Sequence, residues 1–141
     1  MWFLDTNIFL RYILGDDPAK TAACRELFAR LVQGKEEAGT SETVVAEIMY
    51  VLTSRRTYGL SAKEACGRIR PLLEIDGLRV QDKRACLFAL DLFQEYPFLG
   101  FEDALFIAHI GIDGFDGIYS YDRGLVRIPG VTRAEPPPAT P

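Results

Sequence analysis

Short apolar runs alternate with longer segments of three-to-four-residue hydrophobic spacing, an order that predicts an α/β sandwich around a parallel sheet. The first run, residues 2–4, predicts a strand, and residues 7–14 predict a short helix that breaks at Gly15-Asp16-Asp17-Pro18. Asp17 as N-cap and Pro18 at the first helical position open a second helix ending near Gly34. A very short strand is expected around Thr40, then a helix capped by Ser41 and running to about Thr57. Ser61-Ala62-Lys63-Glu64 forms a capping box for a helix to about Glu74. Residues 78–80 predict a third strand, Asp82 starts a helix stopped by Pro97, and residues 102–112 predict another helix. Residues 117–121 read as a fourth strand and 131–132 as a fifth. Residues 134–141 hold four prolines, and a tail without regular structure is expected there, after a single domain spanning 1–133.

Composition fits that picture. At 141 residues, 48% apolar and 26% charged, the chain is one ordinary domain able to bury roughly two thirds of its unfolded surface. No apolar run approaches the ~20 residues that span a bilayer. Met1-Trp2-Phe3-Leu4 leads directly to Asp5 without a basic segment or cleavage site, so a cytoplasmic location without membrane attachment is expected. The three cysteines Cys24, Cys66 and Cys86 are far apart and sit inside helical patterns, which reads as buried thiols. The single His109 builds no zinc site with them at a standard spacing and reads as a partly buried histidine. A net charge of −4 argues against broad, sequence-blind binding of nucleic acid, but not against a local grip on a few phosphates.

The acids then become informative. Ligands of open parallel sheets bind beyond the carboxyl ends of the strands. Asp5 follows the first predicted strand and Asp122 the fourth, although an Asp in either place is equally an ordinary turn residue. Val44, Val45, Ile48, Val51 and Leu52 make an apolar stripe, and Glu47 falls about 40° beyond its edge, as a solvated boundary residue also would. Asp103 stands in the first turn of its helix, where an acid also serves the helix dipole. Together the four form a possible oxygen-only set at one edge of the sheet. Such a set suits Mg²⁺ or Mn²⁺ and the hydrolysis of a phosphodiester by a metal-activated water.

Leu4-Asp5-Thr6-Asn7-Ile8-Phe9-Leu10-Arg11-Tyr12, followed by Gly15-Asp16-Asp17-Pro18, closely resembles the opening of PIN-domain toxins of the VapC family. Glu47 in Ser41-Glu42-Thr43-Val44-Val45-Ala46-Glu47 is similar to the family's second acid. Asp103-Ala104 in its apolar helix is similar to the third, and Ser120-Tyr121-Asp122 to the last block. The likeness covers about residues 1–133 and departs at Arg123-Gly124-Leu125, where an acid and an aromatic are frequent. The resemblance implies a PIN-like α/β/α sandwich with a central four- or five-stranded parallel sheet, and Mg²⁺- or Mn²⁺-dependent cleavage of RNA. It also implies homodimerisation and inhibition by a cognate antitoxin protein. Asp5, Glu47, Asp103 and Asp122 would be the catalytic and metal-binding acids, with Thr6, Asn7 and Ser120 as polar supports.

Rival readings are weaker or closely related. A haloacid-dehalogenase-type phosphatase needs a second Asp where Asn7 stands, and a receiver domain needs a late lysine, absent after Lys83. A housekeeping RNA-processing nuclease of the same fold, without an antitoxin, remains as an alternative. So does a non-catalytic binding module, which would be expected to lose some of the acids. Phe28, Leu31, Tyr50 and Phe88 are expected either in the core or at a dimer interface. Arg55, Arg56, Arg68 and Arg70, with Arg11, are either a solvated face or a basic rim for RNA phosphates.

Overall fold

A computed structural model describes residues 1–140. Five strands and six helices follow one another as β1 (Trp2–Phe3), α1 (Thr6–Leu14), α2 (Pro18–Val32), β2 (Ala38–Thr40), α3 (Glu42–Thr53), α4 (Ala62–Leu73), β3 (Leu78–Val80), α5 (Lys83–Glu95), α6 (Phe101–Asp113), β4 (Ile118–Tyr119) and β5 (Arg133–Ala134). A 3-10 turn, Arg123–Arg127, precedes β5. The fold is the expected α/β type with a parallel sheet, but the sheet differs from a single four- or five-stranded one. β1, β2 and β3 form a three-stranded parallel sheet with β2 in the middle, and β4 pairs separately with β5, also in parallel. The outer strands are short. β1 and β4 are two residues long, and each satisfies its backbone on one neighbour only: Trp2 and Phe3 lie opposite Ala38 and Gly39, and Ile118 and Tyr119 opposite Arg133 and Ala134.

Local chemistry sets the element ends. Asp17, Ser41 and Ser61 each accept a hydrogen bond from an amide three residues on and so cap α2, α3 and α4 as expected. Gly15, at a φ of 65°, takes the left-handed position that closes α1. Helix α3 stops at Thr53 rather than near Thr57, because Ser54 turns extended and the Thr57 hydroxyl bonds the carbonyls of Val51 and Ser54. Asp82 holds the N-cap place of α5 but in a left-handed conformation, φ 55°, and its carboxylate does not cap the helix. The fifth strand falls at 133–134 rather than 131–132, so Ala134, the first residue of the expected tail, is paired; Pro141 lies outside the described residues.

The core gathers the inner faces of the helices against β2 and β3. Phe9 of α1 meets Phe28 of α2 at 5.4 Å between ring centroids, and Phe93 of α5 meets Phe101 of α6 at 6.0 Å. Phe28 and Leu31 are therefore core residues, whereas Tyr50 and Phe88 are exposed. Gly77 lets the backbone before β3 pass the end of α2: a Cβ there would sit 2.5 Å from the carbonyl oxygen of Leu31. Among the described residues no helix is long and apolar enough to cross a membrane.

Candidate active site

The end of β1 positions the first acid. The Thr40 hydroxyl, buried, donates to the carbonyl of Leu4 at 2.9 Å, and the Leu4 amide donates to Gly39 at 2.8 Å. Asp5 then caps α1: its Oδ1 accepts from the amides of Asn7 (3.1 Å) and Ile8 (3.3 Å). Asn7 thus supports Asp5 through its backbone. Thr6, also buried, donates from Oγ1 to Oε2 of Glu47 at 2.8 Å, tying the middle of α3 to the start of α1. Glu47 is exposed, as a residue just off the apolar stripe should be, yet its carboxylate is held.

The other two acids come from the end of the chain. Asp103 lies half-buried in the first turn of α6, whose N-cap Gly100 offers no side chain. Burial pushes its carboxyl above the usual range, and the negative charges of Asp122 and Glu102 push the same way, against a hydrogen bond with the Gly100 backbone. Asp122 caps the 3-10 turn, its Oδ1 accepting from the Gly124 amide at 2.8 Å, while Ser120 Oγ accepts from the Asp122 amide at 3.0 Å. Gly124 is the residue that fits: a Cβ there would stand 3.1 Å from Asp122 Oδ1. The following Leu125 is buried in the core. Arg123-Gly124-Leu125 therefore holds this loop by a backbone bond and an apolar anchor.

Besides the short-range links of Asn7 to Asp5 and Ser120 to Asp122, two couplings run between distant predicted residues, Thr6 with Glu47 and Asp103 with Asp122. Among the described residues, no three of the four acids bring carboxylate oxygens within 4.8 Å of one another. The residues nonetheless fit a hard divalent cation. The donors are all oxygen, Asp5, Glu47 and Asp122 each bind protein through one carboxylate oxygen, and Asp103 and Asp122 repel across a gap that a cation would relieve.

A second group of ligand-type side chains does lie close together. One donor atom each from Glu42, Asp82 and His109 falls within 4.8 Å of the other two. His109 is half-buried, as its sequence position suggested, with Nε2 2.7 Å from Glu42 Oε2 and Nδ1 2.8 Å from Asp113 Oδ2. Asp113 is readable from the sequence, being one helical turn from His109. Glu42, 67 positions away, is not. Thr40 was likewise missed as the residue that fixes the strand end before Asp5.

The arginines divide. Arg11 pairs with Asp16 at 2.9 Å, Arg70 with Asp91 at 2.6 Å, and Arg68 Nη1 donates to the Ile13 carbonyl at 3.4 Å. Arg55 and Arg56 are exposed, and neither side chain forms an ion pair among the described residues. The three cysteines are free and buried.

Compared one by one with curated proteins, the chain finds no match. The family model described as PIN domain matches residues 2–131, nearly the whole chain, including all four acids and their supports. PIN domains are generally metal-dependent nucleases. The chain belongs to the PIN-domain family.

Proposed function

We propose that this PIN domain is a Mg²⁺- or Mn²⁺-dependent endoribonuclease, the toxin of a toxin–antitoxin pair, acting in the cytoplasm as a homodimer and silenced by a cognate antitoxin. The observation that carries the nuclease reading is the raised carboxyl of Asp103, part-buried and facing the charge of Asp122. A protein gains nothing in stability from two facing carboxylates. They make sense where a divalent cation and a phosphate are to be held.

In this reading Asp5 and Asp103 hold the cation, directly or through water, and Asp122 completes its surroundings. Glu47, steadied by Thr6, orients the attacking water and takes up its proton. Asn7 keeps Asp5 in place through its amide, and Ser120 does the same for Asp122. The bound cation supplies charge to the scissile phosphate and makes water a competent nucleophile near neutral pH. Exposed Arg55 and Arg56 would contact neighbouring phosphates of the RNA. An antitoxin would cover that rim and place a Lys or Arg among Asp5, Glu47 and Asp103, in the place of the cation's charge.

The test is cleavage of total RNA with mapped ends, run with Mg²⁺, with Mn²⁺ and with chelator. Cleavage should need the cation and vanish in Asp5→Asn, which removes a charge at nearly constant volume. Undiminished cleavage in excess chelator would overturn the reading. A small neighbouring reading frame encoding a DNA-binding protein that co-purifies with the chain supports the toxin. Its absence favours a housekeeping nuclease.

A further inference from the structure

Outside the four acids of the nuclease reading, one side-chain cluster has the composition of a different metal site. Glu42 opens α3, Asp82 precedes α5, and His109 stands in the second half of α6, so the cluster gathers three residues that are far apart in sequence. Its donors are one imidazole nitrogen and two carboxylate oxygens within 4.8 Å of one another. An imidazole in the set distinguishes it from the oxygen-only set, since imidazole suits zinc and its neighbours in the series whereas Mg²⁺ prefers oxygen alone.

Two further features point the same way. His109 Nδ1 lies 2.8 Å from the Asp113 carboxylate, which fixes the ring with Nε2 directed at Glu42. A carboxylate behind a ligating histidine is the arrangement that orients the ring and strengthens its free nitrogen as a donor. Asp82 occupies an N-cap place where an aspartate ordinarily binds its own helix, yet its carboxylate makes no such bond and stands instead beside Glu42 and His109. An opening of 370 Å³, lined by Glu42, Thr43, Glu47, Glu102, Phe106 and His109, brings solvent to two of the three donors.

We propose that Glu42, Asp82 and His109 form a binding site for one zinc-class divalent cation, with a ligand set that shares no residue with Asp5, Glu47, Asp103 and Asp122. The cation takes the place of the proton on His109 Nε2, which is released to solvent, and water fills the fourth position. Three carboxylates, Glu42, Asp82 and Asp113, surround a single imidazole, so a dication reduces the excess negative charge of the cluster more than a proton does. The bound ion fastens the first turn of α3, which carries Glu47 further along, to α5 and α6.

The experiment is calorimetric titration of the full chain with Zn²⁺ in the presence of excess Mg²⁺, repeated with Co²⁺ to read its visible spectrum. One equivalent should bind, with a Co²⁺ spectrum of a low-coordinate nitrogen–oxygen site, and thermal stability should rise with Zn²⁺ concentration. His109→Gln and Asp82→Asn should each weaken Zn²⁺ binding by at least about tenfold, whereas Asp5→Asn should leave it unchanged. If His109→Gln fails to fold, Asp82→Asn decides, because that exposed residue can change without touching the ring's contacts with Glu42 and Asp113. Zn²⁺ binding equal to wild type in Asp82→Asn, or no Zn²⁺ binding at all under excess Mg²⁺, overturns the proposal. Either result leaves the RNA-cleavage reading to its own test.

Discussion

The hydroxyl of Thr6 donates a 2.8 Å hydrogen bond to Glu47 across 41 positions of sequence, and Thr6 itself is buried. The bond fixes an exposed glutamate to the turn that carries Asp5, so Glu47 acts from a set place rather than from a mobile side chain. Thr6→Val keeps the shape and removes the donor. Cleavage should fall about 10- to 100-fold, and Thr6→Ser should restore most of it. Equal rates in Thr6→Val and wild type, with unchanged circular dichroism, would remove Thr6 from the machinery.

Asp103 separates function from stability. Its carboxyl is raised, so the stabilising, protonated form exists below the unfolded value of 3.8 and is lost as pH rises through the higher folded value. At neutral pH the ionised group is therefore a burden on the metal-free fold. Asp103→Asn should lose activity by more than about 100-fold while melting, in chelator, at or above the wild-type temperature. A clearly lower melting temperature would show that Asp103 is a structural residue.

Of the five arginines of the expected rim, Arg11 and Arg70 are paired with Asp16 and Asp91 and Arg68 donates to the Ile13 carbonyl, so Arg55 and Arg56 are the two whose side chains hold no protein partner among the described residues. Replacing both with Gln should weaken RNA binding and reduce the slope of log affinity against log salt by about 1.4, two contacts at about 0.7 each for a single strand. An unchanged slope would make this face plain solvated surface.

Burial pushes the Cys66 thiol up to about 11 and the Cys86 thiol up to about 12. The native chain should therefore resist thiol reagents near pH 8, and all three cysteines should react once it is denatured. The sign at high pH follows. Unfolded thiols ionise around 9.0 while the native ones keep their protons, so this stabilisation is whole below that value and is lost as pH rises through 11 and 12. Urea midpoints that stay constant from neutral pH to beyond 9 would contradict it.

Local chemistry made much of this legible. Ser41, Ser61 and Asp17 cap helices because a side-chain oxygen binding an amide three residues on is written in the sequence itself. The strand at 78–80 carries a strand's alternation, with Leu78 and Val80 buried on either side of exposed Arg79. The polar supports beside Asp5 and Asp122 were legible only through the family likeness. What failed depended on distant partners. No local pattern reports that β4 would pair with β5 alone, or that Glu42 would meet His109. Phe28 and Tyr50 looked alike as apolar residues on helices, and only the packing of α1 on α2 placed one inside and left the other in water.

β1 leaves its first side chains uncovered, and one of them is Trp2, 78% exposed and the single tryptophan of the chain. Its indole meets water before unfolding as much as after, so its fluorescence is nearly blind to denaturation. A molecule that settles over the head of the strand, three residues from Asp5, withdraws that ring from water and turns its emission toward the blue. Emission from Trp2 would therefore report cover of β1 rather than unfolding of the core.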